Sequence, residues 1–367
     1  MSHQEKIYLL ALHRLSYIGD TTAKKLIEIL GSAEAIFKEK SQNLQKINGL
    51  GTKRIQTIKK DLDLDGAENE LKFIEDNDID FLYFKDKTYP TNLKHCIDGP
   101  LVLFQKGNID LQNKRIISIV GTRNITSHGI QFTEQLISDL AVFDPVIVSG
   151  FAYGTDITAQ KAALHHNLQT IGCFGHGMNQ VYPKAHQKYV HDIMKHGGFF
   201  TDFCSDDKFD RNNFLKRNRI IAGLSEATIV IESAAKGGSL VTAEMANGYN
   251  REVFALPGRY SDKMSIGCNN LIKKQQAMML TCAADLAYIL NWDVDQKPKP
   301  AHQTQLFVDL NEEEKIVVES LKSLQKTEID PLALSCQIPT SKLSTILLNL
   351  ELKGLVRPLP GKQFELI

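Results

Sequence analysis

Residues 115–121 read RIISIVG, and six more runs of the same kind follow: PVIVSG at 145–150, QTIGCFG at 169–175, GFFTDF at 198–203, ATIVIES at 227–233, EVFALPG at 252–258 and AMMLT at 277–281. Each is of strand length and mostly apolar, and helical patterns separate them. Continuous apolar strands that alternate with helices predict a parallel sheet covered on both faces. Right-handed crossovers then give an α/β fold, with a Rossmann-like doubly wound parallel sheet over residues 113–294.

The flanks read differently. Residues 1–65 predict a small helical domain. Within it, LSYIGDTTAKKLIEIL (15–30) and INGLGTKRIQTI (47–58) each place glycine at a turn before a helix. The second has the shape of a helix-hairpin-helix turn, in which helix N–H groups face a phosphate; a plain glycine-rich turn accounts for it equally well. Residues 66–112 read as a bridging extension with one helix and two strands, FLYF and PLVLFQKG. DQKPKPAHQT (295–304) is polar and proline-rich and reads as a linker. Residues 305–367 predict three helices and a hairpin, the winged-helix layout. The third helix, PTSKLSTILLNLELKG, would be the recognition helix on DNA. Its only basic residues are Lys342 and Lys353, so a protein-contact role is the competing expectation.

Composition narrows the function. The chain has 367 residues, with 43 basic and 43 acidic side chains. A nucleic-acid ligand therefore requires local positive charge. No apolar run reaches the ~18 residues of a membrane span. Six scattered cysteines form no CxxC pair, which argues against zinc or a disulfide framework and for a cytoplasmic setting. Neither a metal nor a cofactor is expected: the dinucleotide fingerprint GxGxxG is missing, since 175–177 give only Gly-His-Gly.

In an open parallel sheet, ligands sit beyond the carboxyl ends of the strands. The first such loop offers Gly121, Thr122 and Arg123, with Arg123 able to fork onto a phosphate. The second offers Ser149, Gly150, Phe151, Gly154 and Asp156 at a strand-to-helix turn. After the fourth strand comes KFDRNNFLKRNR (208–219), five basic residues against one acid. It contains Phe214, Lys216, Arg217, Asn218 and Arg219, and its start is expected to point at the crevice. The fifth offers Lys236, Gly237, Gly238, Ser239 and Thr242, small residues before a helix that leave N–H groups open to an anion.

Taken together, these segments resemble the DNA-processing protein A family, DprA, also called Smf. IVGTRNITSHG, SGFAYGTDITAQKAAL, TIGCFGHGMNQVYPKAH, NFLKRNRIIAGLS, GGSLVTAEMA, REVFALPG and SIGCNNLIKKQQA are similar to its motifs, in its order. Gln160 stands where the family usually has histidine, and His186 where asparagine is common. The loop before RNRII also differs in length.

The resemblance implies a non-enzymatic protein that binds and protects single-stranded DNA. It further implies handover of that strand to the recombinase RecA in natural transformation and homologous recombination, and a homodimer built through the central domain. By that likeness Arg123, Lys216, Arg217 and Arg219 would hold phosphates. Ser149, Gly150, Gly154, Gly238 and Ser239 would form the backbone cradle, and Phe214 would stack on a base. The alternative is a nucleotide phosphoribohydrolase. Gly237–Glu244 distantly resembles the GG-x-GT-x-x-E site of those enzymes, but Leu240 replaces a glycine and Thr242 is displaced.

Overall fold

A computed structural model describes residues 1–292, 310–324, 326–353, 355–359 and 363–366. The expected linker, 295–304, lies outside them. The chain divides into two compact units, Met1–Val294 and Asp295–Ile367.

The first unit is built on a nine-stranded sheet: β1 (Asp80–Tyr83), β2 (Val102–Gly107), β3 (Ile116–Val120), β4 (Val146–Ser149), β5 (Thr170–Cys173), β6 (Gly197–Thr201), β7 (Ala227–Val230), β8 (Glu252–Ala255) and β9 (Met278–Met279). Their order is β1-β2-β6-β5-β4-β3-β7-β8-β9. β3 to β9 are all parallel, and β1 and β2 join antiparallel at one edge. All seven runs read from the sequence are strands of this sheet. The bridging extension supplies the other two.

The apolar runs are continuous because both faces are covered. Along β3, Ile116 and Val120 belong to one core, while Ile117 and Ile119 belong to the other. β4 repeats the split, with Val146 and Val148 on one side and Ile147 on the other. Fully burying each such side chain contributes about 1.5–3 kcal/mol. The helices Ser127–Leu140 and Thr155–His165 pack together on one face. Arg211–Leu224 and Gly238–Gly248 pack together on the other.

From β3 the chain steps to β4, β5 and β6 in one direction. It then returns past β3 to β7 and steps the other way. Helices leave on opposite faces there, so a crevice opens beyond the carboxyl ends of β3 and β7.

The N-terminal helices share the core of the second face, which runs without a break from Leu9 to Leu271. The expected boundary at 65/66 falls inside the helix Leu64–Asp76, which packs on His3–His13. Asp63 caps that helix through its carboxylate on the Gly66 N–H, so the helix starts before the composition changes.

The second unit has helices Glu312–Leu324, Ile329–Cys336 and Thr340–Leu352. Strands β10 (Lys326–Glu328), β11 (Val356–Leu359) and β12 (Gln363–Leu366) pair in the order β10-β12-β11. This is the expected winged-helix layout with one added strand, β10. Its core gathers Val317, Leu321, Leu332, Leu343, Leu347, Leu350 and Val356. Among the described residues no helix is long and apolar enough to cross a membrane.

Candidate nucleic-acid interface

The switch between β3 and β7 holds a cavity of about 340 Å³. Four loops and helix starts line it. Gly121, Thr122 and Arg123 come from the β3 end, Ala152 and Asp156 from the β4 turn, and Ser233, Ala234 and Lys236–Ser239 from the β7 end. Arg211, Phe214, Leu215, Arg217 and Asn218 come from the helix after β6. Of the charged groups in its wall, Arg123, Arg211, Arg217 and Lys236 are cations and only Asp156 is acidic. This is the local excess that a neutral chain needs to hold an anion.

The turns are tied to one another. The Thr122 N–H donates to Glu232 O (2.8 Å), and the Thr155 N–H donates to Thr122 O (3.1 Å). Gly154 sits at φ +75, and a Cβ there would come within 2.3 Å of Thr122 O. Only glycine meets both demands. Its position starts the helix Thr155–His165 against the β3 loop. The second helix at the crevice, Gly238–Gly248, has no side-chain cap. Ser239 Oγ donates to Ser233 Oγ (3.0 Å), and Thr242 Oγ1 and Asn218 Nδ2 both donate to Gly238 O. Gly237 and Gly238 are exposed, so the start of this helix is open to solvent and suits an anion.

Several expected site residues support the crevice from behind. Ser149 is buried, and its Oγ donates to Ile119 O (2.6 Å), tying β4 to β3. Phe151 is wholly buried among Phe174, Phe199 and His186. Gly150 O accepts from Arg217 Nη1 (2.7 Å), as does Cys173 O. Burial pulls the Arg217 guanidinium pKa down, against the attraction of Cys173 and Asp156. Burial also pushes the Asp156 carboxyl above its usual range, and Arg217 opposes that. Arg217 therefore braces the ends of β4 and β5 through Nη1, while it also reaches the crevice wall.

Two expectations for the basic run need correcting. Lys216 and Arg219 do not face the crevice. They line a separate groove against the N-terminal helices, because they lie on the other side of Arg211–Leu224. Arg219 bonds Asp202, Asp20 (3.0 Å) and Asp98 O. Burial lowers its pKa, but Asp202 and Asp20 more than offset this and hold the charge. It is a cross-brace between the sheet and the first helices. The start of the basic run thus points two ways, with Arg211 at the crevice and Lys208, ahead of the helix, at the groove.

From the sequence, Phe214 is the one aromatic expected to stack on a base. The structure brings Tyr182 and Phe209 to it, with ring centroids 5.0–5.6 Å apart in each pair. Tyr182 and Phe209 are 41% and 46% exposed, so the group offers open ring faces beside the cavity. The Arg123 guanidinium lies 5.9 Å from the Phe214 ring. His176 stacks beneath, 6.2 Å from Phe209, and burial holds its pKa below the usual imidazole value. Phe209 stands in the same basic run, five residues before Phe214, where it could have been found; Tyr182 comes from a distant turn and carries no comparable signal.

Glu244, the carboxylate required by the hydrolase alternative, is exposed and absent from the crevice wall. In the second unit, Lys342 pairs with Glu313 and Lys353 with Glu314 (2.7 Å). The candidate recognition helix thus shares its few cations with the first helix.

Comparison with known families agrees with this architecture. Residues 80–291 match the family model described as DNA recombination-mediator protein A, and residues 298–362 match the DprA winged helix domain. Protein Smf of Synechocystis sp. is 29% identical, with all of both chains aligned. Protein Smf of Escherichia coli is 31% identical over 80% of this chain and 79% of its own. Among solved structures, DNA processing protein A of Streptococcus pneumoniae superposes with a TM-score of 0.66 at 29% identity, covering 78% of this chain and 98% of its own. DNA processing protein A of Helicobacter pylori, described for its single-stranded DNA binding mode, gives 0.52 at 30% identity over 58% and 95%. With more than half its length matched by one family model and its fold and winged helix in agreement, the chain belongs to the DNA recombination-mediator protein A (DprA/Smf) family.

Proposed function

We propose that the crevice binds single-stranded DNA, protects it, and presents it for loading of the recombinase RecA in natural transformation and homologous recombination. One observation carries the DNA reading. Arg123, Arg211 and Lys236 converge with the open start of Gly238–Gly248 on one cavity, beside the exposed rings of Tyr182 and Phe209 and the half-buried ring of Phe214. Cations and helix N–H groups hold phosphates whatever the sequence. Ring faces accept bases only when these are unpaired. A duplex keeps its bases stacked inside, so the combination favours a single strand. The Helicobacter pylori relative, described as a single-strand binder, supports the same reading. The step to RecA rests on the family's description as a recombination mediator.

We read the site as non-catalytic, with no metal or cofactor, because its polar groups suit holding an anion and Glu244 lies outside it. A homodimer through the central unit fits the exposed edge of the sheet, where Met278, Met279, Tyr288 and Ile289 are open. Six free cysteines, five of them buried, fit a cytoplasmic setting.

The test is a salt titration of binding to single- and double-stranded oligonucleotides, with wild type and an Arg123→Ala, Lys236→Ala variant. The single strand should bind more tightly, and log affinity should fall with log salt by ~0.7 per phosphate held. The variant should lose affinity and about 1.4 of that slope, for two phosphates. Equal affinity and slope in the variant sink the crevice reading.

A further inference from the structure

Beyond β8, the loop Gly258–Ser265 carries Tyr260, which is 95% exposed, between Arg259 and Lys263. Tyr260 makes no hydrogen bond or ring contact among the described residues. Such a ring gains nothing for folding, yet hydrogen bonds tie this loop at several points. The Gly258 N–H donates to Asn269 Oδ1 (3.1 Å), and Asn269 Nδ2 donates back to Gly258 O (2.9 Å). The Asp262 N–H donates to Arg259 O and the Ser265 N–H to Asp262 O, both at 3.0 Å, closing two successive turns. The far end of the loop is fastened to the crevice. The Ser233 N–H donates to Met264 O (2.7 Å), and Met264 lines the cavity wall.

We propose that this loop is a further subsite for the same single strand, in which Tyr260 takes a base on its ring and Arg259 and Lys263 take the flanking phosphates. The proposal rests on the crevice being a single-strand site and adds to it an end and a length. The Tyr182–Phe209–Phe214 group follows β5 and β6, whereas Tyr260 follows β8 on the opposite side of the cavity. From β5 to β8 there are four inter-strand steps, roughly 19 Å at ~4.8 Å each. A stacked strand rises about 3.4 Å per nucleotide, so about six nucleotides cover that span. The track would then have rings at both ends and cations between them. A loop already ordered in the free protein loses little conformational entropy when it receives a base.

The experiment measures anisotropy of an oligothymidine of about 15 nucleotides, more than twice that span. Wild type, Tyr260→Ala, Tyr260→Phe and Arg123→Ala are compared. Tyr260→Ala should bind about fivefold more weakly or worse, the low end for one base–aromatic stack. Tyr260→Phe should bind like wild type, because the ring and not the hydroxyl receives the base. The salt slope of Tyr260→Ala should equal that of wild type, while Arg123→Ala lowers it. Wild-type affinity in Tyr260→Ala overturns the proposal. So does a loss that accompanies a changed oligomeric state in light scattering, which would assign Tyr260 to a contact between copies. If Arg123→Ala is also silent, the crevice reading fails with it; if Arg123→Ala alone weakens binding, only the Tyr260 subsite falls.

Discussion

Two cavities flank the helix Arg211–Leu224, and both take cations from the run 208–219. The crevice holds about 340 Å³ and sets Arg123, Arg211, Arg217 and Lys236 against Asp156 alone. The groove on the other side is larger, about 820 Å³. It sets Arg54, Lys208, Lys216 and Arg219 against Asp20, Asp98, Asp202, Asp207 and Asp210. Size therefore favours the groove, while charge balance favours the crevice as the anion site we propose. Helical period accounts for the split. Arg211, Phe214 and Arg217 recur at three-residue steps on one face, while Lys216 and Arg219 fall on the other. A string of five basic residues is two half-sites, one open to an anion and one matched by carboxylates.

The largest expected effect tests the groove side as structure. Arg219→Ala leaves Asp202 buried without its partner, which typically costs about 3–5 kcal/mol. Thermal unfolding should show a clearly lowered Tm. An unchanged Tm would mean the cross-brace is idle and the two sides differ less than their charges suggest.

Next comes the crevice side as ligand site. Arg123→Ala with Lys236→Ala should reduce single-strand affinity about tenfold or more, since even one hydrogen bond to a charged group contributes about 1.5–3 kcal/mol. Its Tm should stay near wild type, because both side chains are exposed.

A sharper test stays within one helix. Arg211→Ala should weaken binding by severalfold and Lys216→Ala should change it little, although both are exposed and only five residues apart. Equal losses in anisotropy titrations would erase the distinction between the faces.

The smallest effect belongs to the winged helix. Lys342→Ala with Lys353→Ala should alter single-strand affinity less than about twofold, because Glu313 and Glu314 already neutralise both lysines. A loss as large as that of the crevice variant would move the interface to this unit.

Legibility differed by element. The seven apolar runs predicted all seven parallel strands, since burial on both faces writes itself as unbroken hydrophobicity. The loops at β3 and β7 were equally plain, because a glycine beside a cation directly after a buried strand places an open backbone and a positive charge where such sheets bind ligands. Ser149, Phe151 and Arg219 read like site residues, yet each is committed to another part of the protein. Their partners Ile119, Phe199 and Asp202 lie at least 17 residues away in the chain, across turns that no local pattern marks. Tyr182 joined the aromatic group only through the fold.

The strand order placed the switch, whereas the sequence by itself determined the doubly wound sheet, the winged-helix layout and the need for a local cluster of positive charge. Periodicity and composition are local properties, and these conclusions depend on nothing else. Only the tertiary structure decided which cations are free. A guanidinium's availability is set by the carboxylates and carbonyls that packing brings to it, and for Arg217 and Arg219 packing brought Gly150, Cys173, Asp202 and Asp20.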